Sequence, residues 1–272
     1  MESRLQLRVQ RYGWDLAARG YETSWQAQLA VAQERLLACA ALARGERVLD
    51  AACGTGLVSF AAARAVGPAG QVLGVDLSER MVDVARQRAR DLNTLNATFL
   101  RMDAENLDLP DASFDAALCA LGLMYVPDPA RAIREMRRVL RAGGRIGLAI
   151  WGERARCGWA DVFRIVSDEV ASEVCPLFFH LGEGDALARL VGSAGFTAVA
   201  QQRIGAPLVD RTAEEACDAA FVAGPVALAW SRFDAATRER ARRRYIESIA
   251  PWRGPQGYRL PGEFVIVSAS AA

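Results

Sequence analysis

The residues able to do chemistry sit at the ends of short apolar runs. Residues 48–56 read VLDAACGTG, an apolar run that ends in Asp50 and enters a turn carrying Gly54 and Gly56. With no side chain in the way, such glycines let backbone N–H groups approach a ligand closely. Dinucleotide sites use a turn of this kind. The spacing here is GxGxxS, however, without the third small residue that packs helix on strand in the dinucleotide fingerprint. Asp76 closes the next apolar run, 20 residues after Gly56, where a carboxylate can accept hydrogen bonds from ribose hydroxyls. Several classes of nucleoside binder share that acid, so it does not discriminate between them.

Asp50 does discriminate. Beside a pyrophosphate it would face two negative charges in a partly desolvated cleft, which is costly. Beside a cation it is favourable. S-adenosylmethionine carries a sulfonium and an ammonium, and its only anion is one small carboxylate. Asp103, in the MDAE stretch of residues 102–105, can accept from an adenine amino group. Methyl transfer from such a cofactor is an in-line displacement at the sulfonium carbon. It gains most from a closed, water-excluding pocket and an aligned nucleophile, and needs a general base only if the nucleophile arrives protonated.

An apolar lid should therefore be more visible than a catalytic triad. Candidate lid residues are Trp151, Trp159 and Phe163, the CPLFFHLG stretch, and then Phe221, Trp230 and Phe233; each also reads as ordinary core. His180 is the only histidine, and its ordinary pKa suits a base near neutrality. It is a candidate to take a proton from the substrate or to hold it by a hydrogen bond, with a purely structural histidine as the rival reading.

The elements that must position these groups follow from the hydrophobic period. Residues 1–45 are helical in pattern, with QAQLAVAQERLLACAALA running to a stop at Gly45. From residue 46, the runs ERVLDAA, QVLGVD, ATFLRM, FDAALCA and GRIGLAIW alternate with the helical segments LVSFAAARAV, SERMVDVARQRARDL and DPARAIREMRRVL. That alternation predicts an α/β fold, a doubly wound, mostly parallel sheet buried on both faces. Residues 196–204 and 263–269 supply a sixth and a seventh strand. Residues 152–195 and 205–260 are expected to be helical cap, the latter opening on a Thr212 capping box. The whole chain is expected to be one domain, with residues 1–45 as a helical lid over the cofactor or as a dimer contact.

Composition excludes more than it asserts. The 272 residues carry 33 basic and 32 acidic side chains and a net charge of +1, which gives no global field for nucleic acid or membrane. Every basic residue is arginine, so Schiff-base lysine chemistry and a P-loop are excluded. One histidine excludes HExxH zinc sites, and the six cysteines lack CxxC spacing, so no metal is expected. A polar start and the lack of a long apolar run point to a cytoplasmic protein, monomeric or homodimeric, with a small-molecule partner, no nucleic acid and no membrane.

The motifs together resemble the class I S-adenosylmethionine-dependent methyltransferases, in particular the quinone-biosynthesis branch, over about residues 46–151 and the two late strands. VLDAACGTG looks like the family's glycine motif, VLGVDLSERM its ribose motif, RMDAENLDLPDASFD its adenine motif, and LRAGGRIGLAIWG its exit after the fourth strand. The resemblance implies that Asp50, Gly54 and Gly56 line the methionine moiety and that Asp76 holds the ribose. Leu77 and Met81 would flank the adenine, with Asp103 and Ala104 at its edge. Cys119 and Ala120 would back the sulfonium, and Tyr125, in a loop facing the cofactor methyl, would be a second catalytic candidate beside His180. It also implies S-adenosylmethionine as cofactor and a small, apolar or aromatic acceptor. The long insertion before YRLPGEF lies outside the motif set, so the acceptor and its atom stay open. Rival readings are a cyclase or binding module on the same fold, a NAD-dependent oxidoreductase, and a nucleic-acid methyltransferase using the basic RERARRRYIES stretch, which Glu239 and Glu247 interrupt.

Overall fold

The computed structural model describes residues 3–172 and 174–272. Two helices, α1 (Ser3–Ala17) and α2 (Tyr21–Ala40), precede the core. Strand β1 (Arg47–Ala51), helix α3 (Leu57–Val66), β2 (Gln71–Asp76), α4 (Glu79–Asp91), β3 (Ala97–Arg101) and β4 (Phe114–Ala120) follow. Then come α5 (Pro129–Val139), β5 (Leu140–Trp151), α6 (Asp161–Val170), α7 (Ala186–Ser193) and β6 (Phe196–Gly205). The last third holds β7 (Leu208–Asp210), α8 (Ala213–Cys217), α9 (Ala227–Arg232), α10 (Ala235–Ile249), β8 (Arg253–Gly254), β9 (Gly257–Leu260) and β10 (Glu263–Ala271).

Seven strands form one sheet in the order β3-β2-β1-β4-β5-β10-β6, all parallel except β10, which runs antiparallel to both neighbours. The expected doubly wound α/β sheet is therefore present. Its strand order reverses between β1 and β4, and at such a switch point the carboxyl ends of neighbouring strands diverge and open a crevice. Val48, Leu49 and Ala51 of β1 and Ala116, Ala117 and Leu118 of β4 are fully buried, as a parallel sheet covered on both faces requires.

The helix caps are largely those the residue types specify. The Ser78 hydroxyl accepts from Met81 N at α4, the Asp128 carboxylate from Arg131 N at α5, and the Thr212 hydroxyl from Glu215 N at α8. Four expectations are corrected. Helix α2 ends at Ala40, with Ala41 in the left-handed region at φ 45°, rather than running on to Gly45. Strand β5 begins at Leu140, because an irregular register between Phe114 and Ala116 lets it pair earlier than its apolar run. The 205–260 segment is not all helix, since β7, β9 and β8 form a second, three-stranded antiparallel sheet. In the 152–195 segment, α7 packs on β6 as an ordinary crossover helix rather than as cap.

The arginines of α10 have intramolecular partners. Arg240 and Arg244 pair with Glu169 and Asp168 of α6, and Arg242 with Asp218. The basic stretch thus fastens the cap together. No described helix is long and apolar enough to cross a membrane.

Candidate active site

A cavity opens at the carboxyl ends of β1, β2 and β4, and the groups expected to bind cofactor converge there. Asp50, Gly54, Asp76, Leu77 and Met81 line it, with Asp103, Ala104 and Ala120. The glycine turn is built by backbone bonds. Cys53 N–H donates to Val75 O (3.0 Å), Gly56 N–H to Cys53 O (2.9 Å) and Phe60 N–H to Gly56 O (2.9 Å). The two glycines do different work. Gly54 has φ +55°, and a Cβ there would meet nothing within 4 Å, so its missing side chain leaves open space in the cavity. Gly56 has φ +86°, and a Cβ would lie 2.8 Å from the Phe60 ring and 3.1 Å from Phe99. It sets the approach of α3 to the sheet and stands behind the cavity wall.

Asp76 organises the rim. One carboxylate oxygen accepts the Gly54 N–H at 2.8 Å and the other the Ser78 N–H at 2.9 Å. Each oxygen keeps a lone pair for a ligand hydroxyl. Burial raises its pKa to about 6 against the pull of those two N–H bonds. Asp50 is deeper. Its Oδ2 accepts from the Ser59 hydroxyl at 2.5 Å, while its Oδ1 is buried with no partner. Burial raises its pKa to about 7, with the Ser59 bond opposing and the charge of Asp76 adding to the rise. A buried carboxylate with an orphaned oxygen and a half-buried one beside it make a site for a cationic ligand with hydroxyl groups.

At the adenine side, Asp103 Oδ1 accepts the Glu105 N–H at 2.9 Å, a local turn that fixes the segment. Glu105 in turn accepts the Asp128 N–H and so ties down the loop carrying Val126 and Pro127, which also line the cavity. The ends of β1 and β4 are strained: Ala52 (φ 55°) and Leu121 (φ 60°) lie in the left-handed region, and both line the cavity. That conformation costs a non-glycine residue about 1–2 kcal/mol, and such strain concentrates at functional sites.

Cys119 lies outside the lining set. It is buried beneath Gly122, its Sγ 3.3 Å from where a Gly122 Cβ would stand, and burial lifts its pKa to about 12, so it is an inert thiol. His180 is also not in the cavity. Phe178 and Phe179 of the same turn are buried among Trp159 and Phe163, while His180 begins a short 3₁₀ turn on the exposed side. Anchoring the two phenylalanines inward turns the histidine out, and the proton-acceptor role expected of it has no geometric basis. Tyr125 does line the cavity; burial pushes its pKa well above the ordinary tyrosine value, so it keeps its proton.

Residues outside the motifs complete the site. Leu7, Gln10 and Trp14 from α1, and Tyr21 and Gln33 from α2, cover the cavity from above. Helix α1 is held there by Asp15, which accepts from the Ser78 hydroxyl at 2.6 Å and from Arg80 N at 3.2 Å. Trp14 packs edge-on against Tyr125 at 5.0 Å and Tyr21 at 5.8 Å. Tyr12 and Trp25 share the segment, but Tyr12 faces solvent whereas Trp25 is buried. Adjoining the cavity, and sharing Trp14, Tyr21, Leu121 and Tyr125 with it, lies a narrow aromatic chamber. Trp25, Trp151 and Trp159 form its far wall, and Gly224 and Pro225 reach in from the 205–260 segment.

Comparison with known proteins agrees with this geometry. Residues 48–144 match the family described as a methyltransferase domain. That match takes in the glycine turn and the strand ends that line the cavity. It is 38% identical over 120 residues to a demethylmenaquinone methyltransferase of Listeria welshimeri, a match covering 44% of this chain and 51% of that protein. It is 44% identical over 105 residues to a 2-phytyl-1,4-naphtoquinone methyltransferase of Synechococcus elongatus, covering 38% of this chain and 45% of the other. The aligned segments thus span about half the length of the curated relatives. Among solved structures, the [4+2]-cyclase SpnF is 25% identical with a TM-score of 0.60, over 91% of this chain and 82% of its own. The matched residues hold the glycine turn and β1 to β4 with the start of β5. The α1–α2 cover and the 205–260 segment lie outside the residues matched by the domain family.

Proposed function

We propose that this protein transfers a methyl group from S-adenosylmethionine to a small, apolar, ring-containing acceptor. The observation that carries this reading is the pair of Asp50, buried, and Asp76, half-buried, on one cavity walled on its far side by aromatic residues. Asp50, with its unpartnered Oδ1, suits the ammonium and sulfonium end, and the open space at Gly54 admits the methionine chain. Asp76 suits the ribose hydroxyls, Leu77 and Met81 the faces of the adenine, and Asp103 and Ala104 its edge. Ala120 lines the cavity, and Leu121 lines both cavity and chamber. Bound there, the cofactor supplies an electrophilic methyl on a cationic sulfur.

The protein's part is to orient and to exclude water. Helices α1 and α2 cover the junction, and the Trp14–Tyr125 contact closes it. Among the described lining residues of the chamber there is no histidine, acid or arginine. The acceptor must therefore present an intrinsically nucleophilic atom, or one acidic enough to ionise without a protein base. Both curated relatives are named for methylation of naphthoquinone-type compounds, which supports an aromatic, oxygen-bearing acceptor. A cytoplasmic location and a monomeric or dimeric state fit this reading.

The similarity to a [4+2]-cyclase covers most of the chain, so cofactor binding alone does not establish transfer. The test is formation of S-adenosylhomocysteine in the presence of reduced naphthoquinones and simple naphthols. Acceptor-dependent product supports methyl transfer; tight cofactor binding without any acceptor-dependent product supports a non-methylating protein instead.

A further inference from the structure

Helix α1 is apolar on two sides. Leu7, Gln10 and Trp14 line the cofactor cavity. Leu5, Val9, Tyr12 and Leu16 recur at intervals of four, three and four, and so form one stripe on the far side of the same helix. Leu5 is 42% exposed, Tyr12 47% and Leu16 50%. Single exposed apolar residues are ordinary on a protein surface, whereas several in register along one helix mark a contact face. A helix that is apolar on both sides ordinarily has something packed on each.

Cations border the stripe. Arg8 stands beside it on α1, and the Arg11 guanidinium rests over the Tyr12 ring at 4.9 Å. On the other flank, a Cβ at Gly20 would lie 3.4 Å from Ala223 and one at Gly13 3.7 Å from Leu228. Those two approaches run residues 223–228 antiparallel to α1. Arg232, one turn beyond Leu228 in α9, is thereby carried toward the N-terminal half of α1. Arg8, Arg19 and Arg232 are exposed. Among the described residues, none of the three has a carboxylate partner such as Arg240, Arg242 and Arg244 of α10 find. Asp15, the only acid in α1, is turned onto Ser78 and Arg80 instead.

We infer that the outer face of α1 is a docking surface for an anionic lipid bilayer. A leucine stripe edged with arginines is what an interfacial helix presents. The leucines enter the acyl boundary, the tyrosine ring sits at headgroup level, and the guanidinium groups meet lipid phosphates. A net charge of +1 over the whole chain does not oppose this, since the attraction acts only within a Debye length of the surface. A second copy of the chain fits the stripe less well. A two-fold contact there would gather the arginines of both copies around one apolar seam, with no free acid on α1 to answer them. The contact is peripheral, because α1 has only 15 residues. One consequence rests on the function proposed above: the helix that touches lipid with one face covers the cofactor cavity with the other, so an apolar acceptor dissolved in the bilayer would reach the site at its lid.

Flotation of the full chain with vesicles, without cofactor or acceptor, tests the docking by itself. One vesicle is phosphatidylcholine alone, the other equal parts phosphatidylcholine and phosphatidylglycerol. The wild type should bind the anionic vesicle about 10-fold or more tightly than the neutral one, since each arginine near such a surface is worth about fivefold. The double variant Arg8→Gln, Arg232→Gln should lose most of that margin. The double variant Leu5→Ser, Leu16→Ser should bind the anionic vesicle about 10-fold or more weakly than the wild type. All four side chains are exposed and outside the cavity lining, so both variants should keep the wild-type melt and S-adenosylhomocysteine affinity in the absence of vesicles. No preference of the wild type for the anionic vesicle, or an unchanged affinity in either variant, would overturn the inference. So would dimerisation in sedimentation equilibrium that the leucine variant abolishes, with no vesicle binding, which would assign the stripe to a second copy. Vesicle binding by a wild type that fails to bind S-adenosylhomocysteine would sink the cofactor reading and leave the docking standing.

Discussion

The Gly54 N–H donates to the Asp76 carboxylate at 2.8 Å, so the end of β2 holds the turn that leaves the end of β1. The second Asp76 oxygen accepts from Ser78 N, at the N-terminus of α4. One side chain therefore fixes the glycine turn and the helix start together. Asp76→Ala strips two partly buried N–H groups of their acceptor, each worth about 1–3 kcal/mol when left unpaired. We expect a clear fall in thermal midpoint together with loss of S-adenosylhomocysteine binding. Asp76→Asn, whose amide oxygen can accept from only one of the two N–H groups while its NH2 faces the other, should recover only part of the midpoint and less of the binding. A fully stable Asp76→Ala with unchanged affinity would show that the bond positions nothing.

The two glycines of the turn predict opposite signatures. A methyl at Gly54 projects into the cavity without touching protein, whereas one at Gly56 meets Phe60 and Phe99. Both positions have positive φ, costing a non-glycine residue about 1–2 kcal/mol. Gly54→Ala should lower stability by roughly that amount and weaken cofactor affinity about 10-fold or more. Gly56→Ala adds overpacking of about 1–3 kcal/mol and should be the less stable of the two. Denaturant melts beside calorimetric titrations would separate them, and equal stability of the two variants would contradict the assignment.

The carboxyl of Asp50, raised to about 7 mainly by burial, ties stability to pH with a definite sign. Unfolded, this group titrates near the ordinary carboxylate value, so between about pH 4 and 7 the folded, ligand-free protein holds its proton more tightly. The resulting contribution to stability is complete below the unfolded pKa and is lost as pH rises through about 7. Asp50→Asn cannot lose it. The difference in midpoint, variant minus wild type, should therefore become more positive from pH 5 to pH 8 in the absence of ligand. The same logic has a cationic ligand releasing a proton on binding to the wild type near pH 6 and none from this site in Asp50→Asn. A flat difference across that range would mean that Asp50 is not buried as described.

Much of this was legible in residue types. Helix α3 was read as residues 57–66 and forms over Leu57–Val66, because glycines bound it on both sides and its apolar period is unbroken. The convergence of Asp50, Asp76 and Asp103 followed from acids at successive strand ends. The rest depends on geometry that one-dimensional pattern does not carry. Strands of two to four residues such as β7, β8 and β9 are too short to show a period. Ala41 ends α2 in a conformation that glycine would have advertised. Whether His180 follows Phe178 and Phe179 inward depends on the handedness of one short turn, and Gln33 and Trp25 join the site only because α2 lies across it.

Removing the exposed histidine should leave the chemistry intact. His180→Gln is expected to keep turnover within about twofold, the scale of an ordinary surface change of up to about 0.5 kcal/mol. Since no protein base lines the chamber, the pH profile of transfer should follow the acceptor instead. With a series of naphthols of different acidity, the apparent pKa of the rate should move with that of the acceptor. A profile fixed at one pH for every acceptor would reveal a protein base that the structure does not show.

The lid contact is testable on its own. Asp15 ties α1 to the start of α4 through Ser78 and Arg80. Asp15→Ala should loosen the cover, weaken cofactor binding several-fold and leave the core melt nearly unchanged, because the α1 contact lies outside the sheet. Hydrogen exchange confined to residues 5–17 would report the loosening. Exchange that is identical to the wild type, with unchanged affinity, would argue against the tether.

The central claim is that the Asp50 and Asp76 cavity holds the cofactor of a methyl transfer. Calorimetric titration of the full chain with S-adenosylhomocysteine, with NADH run under the same conditions, tests it most directly. Micromolar binding of the former, none of the latter, and loss of binding in Asp76→Ala are the expected results. Absence of S-adenosylhomocysteine binding, or preference for NADH, would contradict the account at its root.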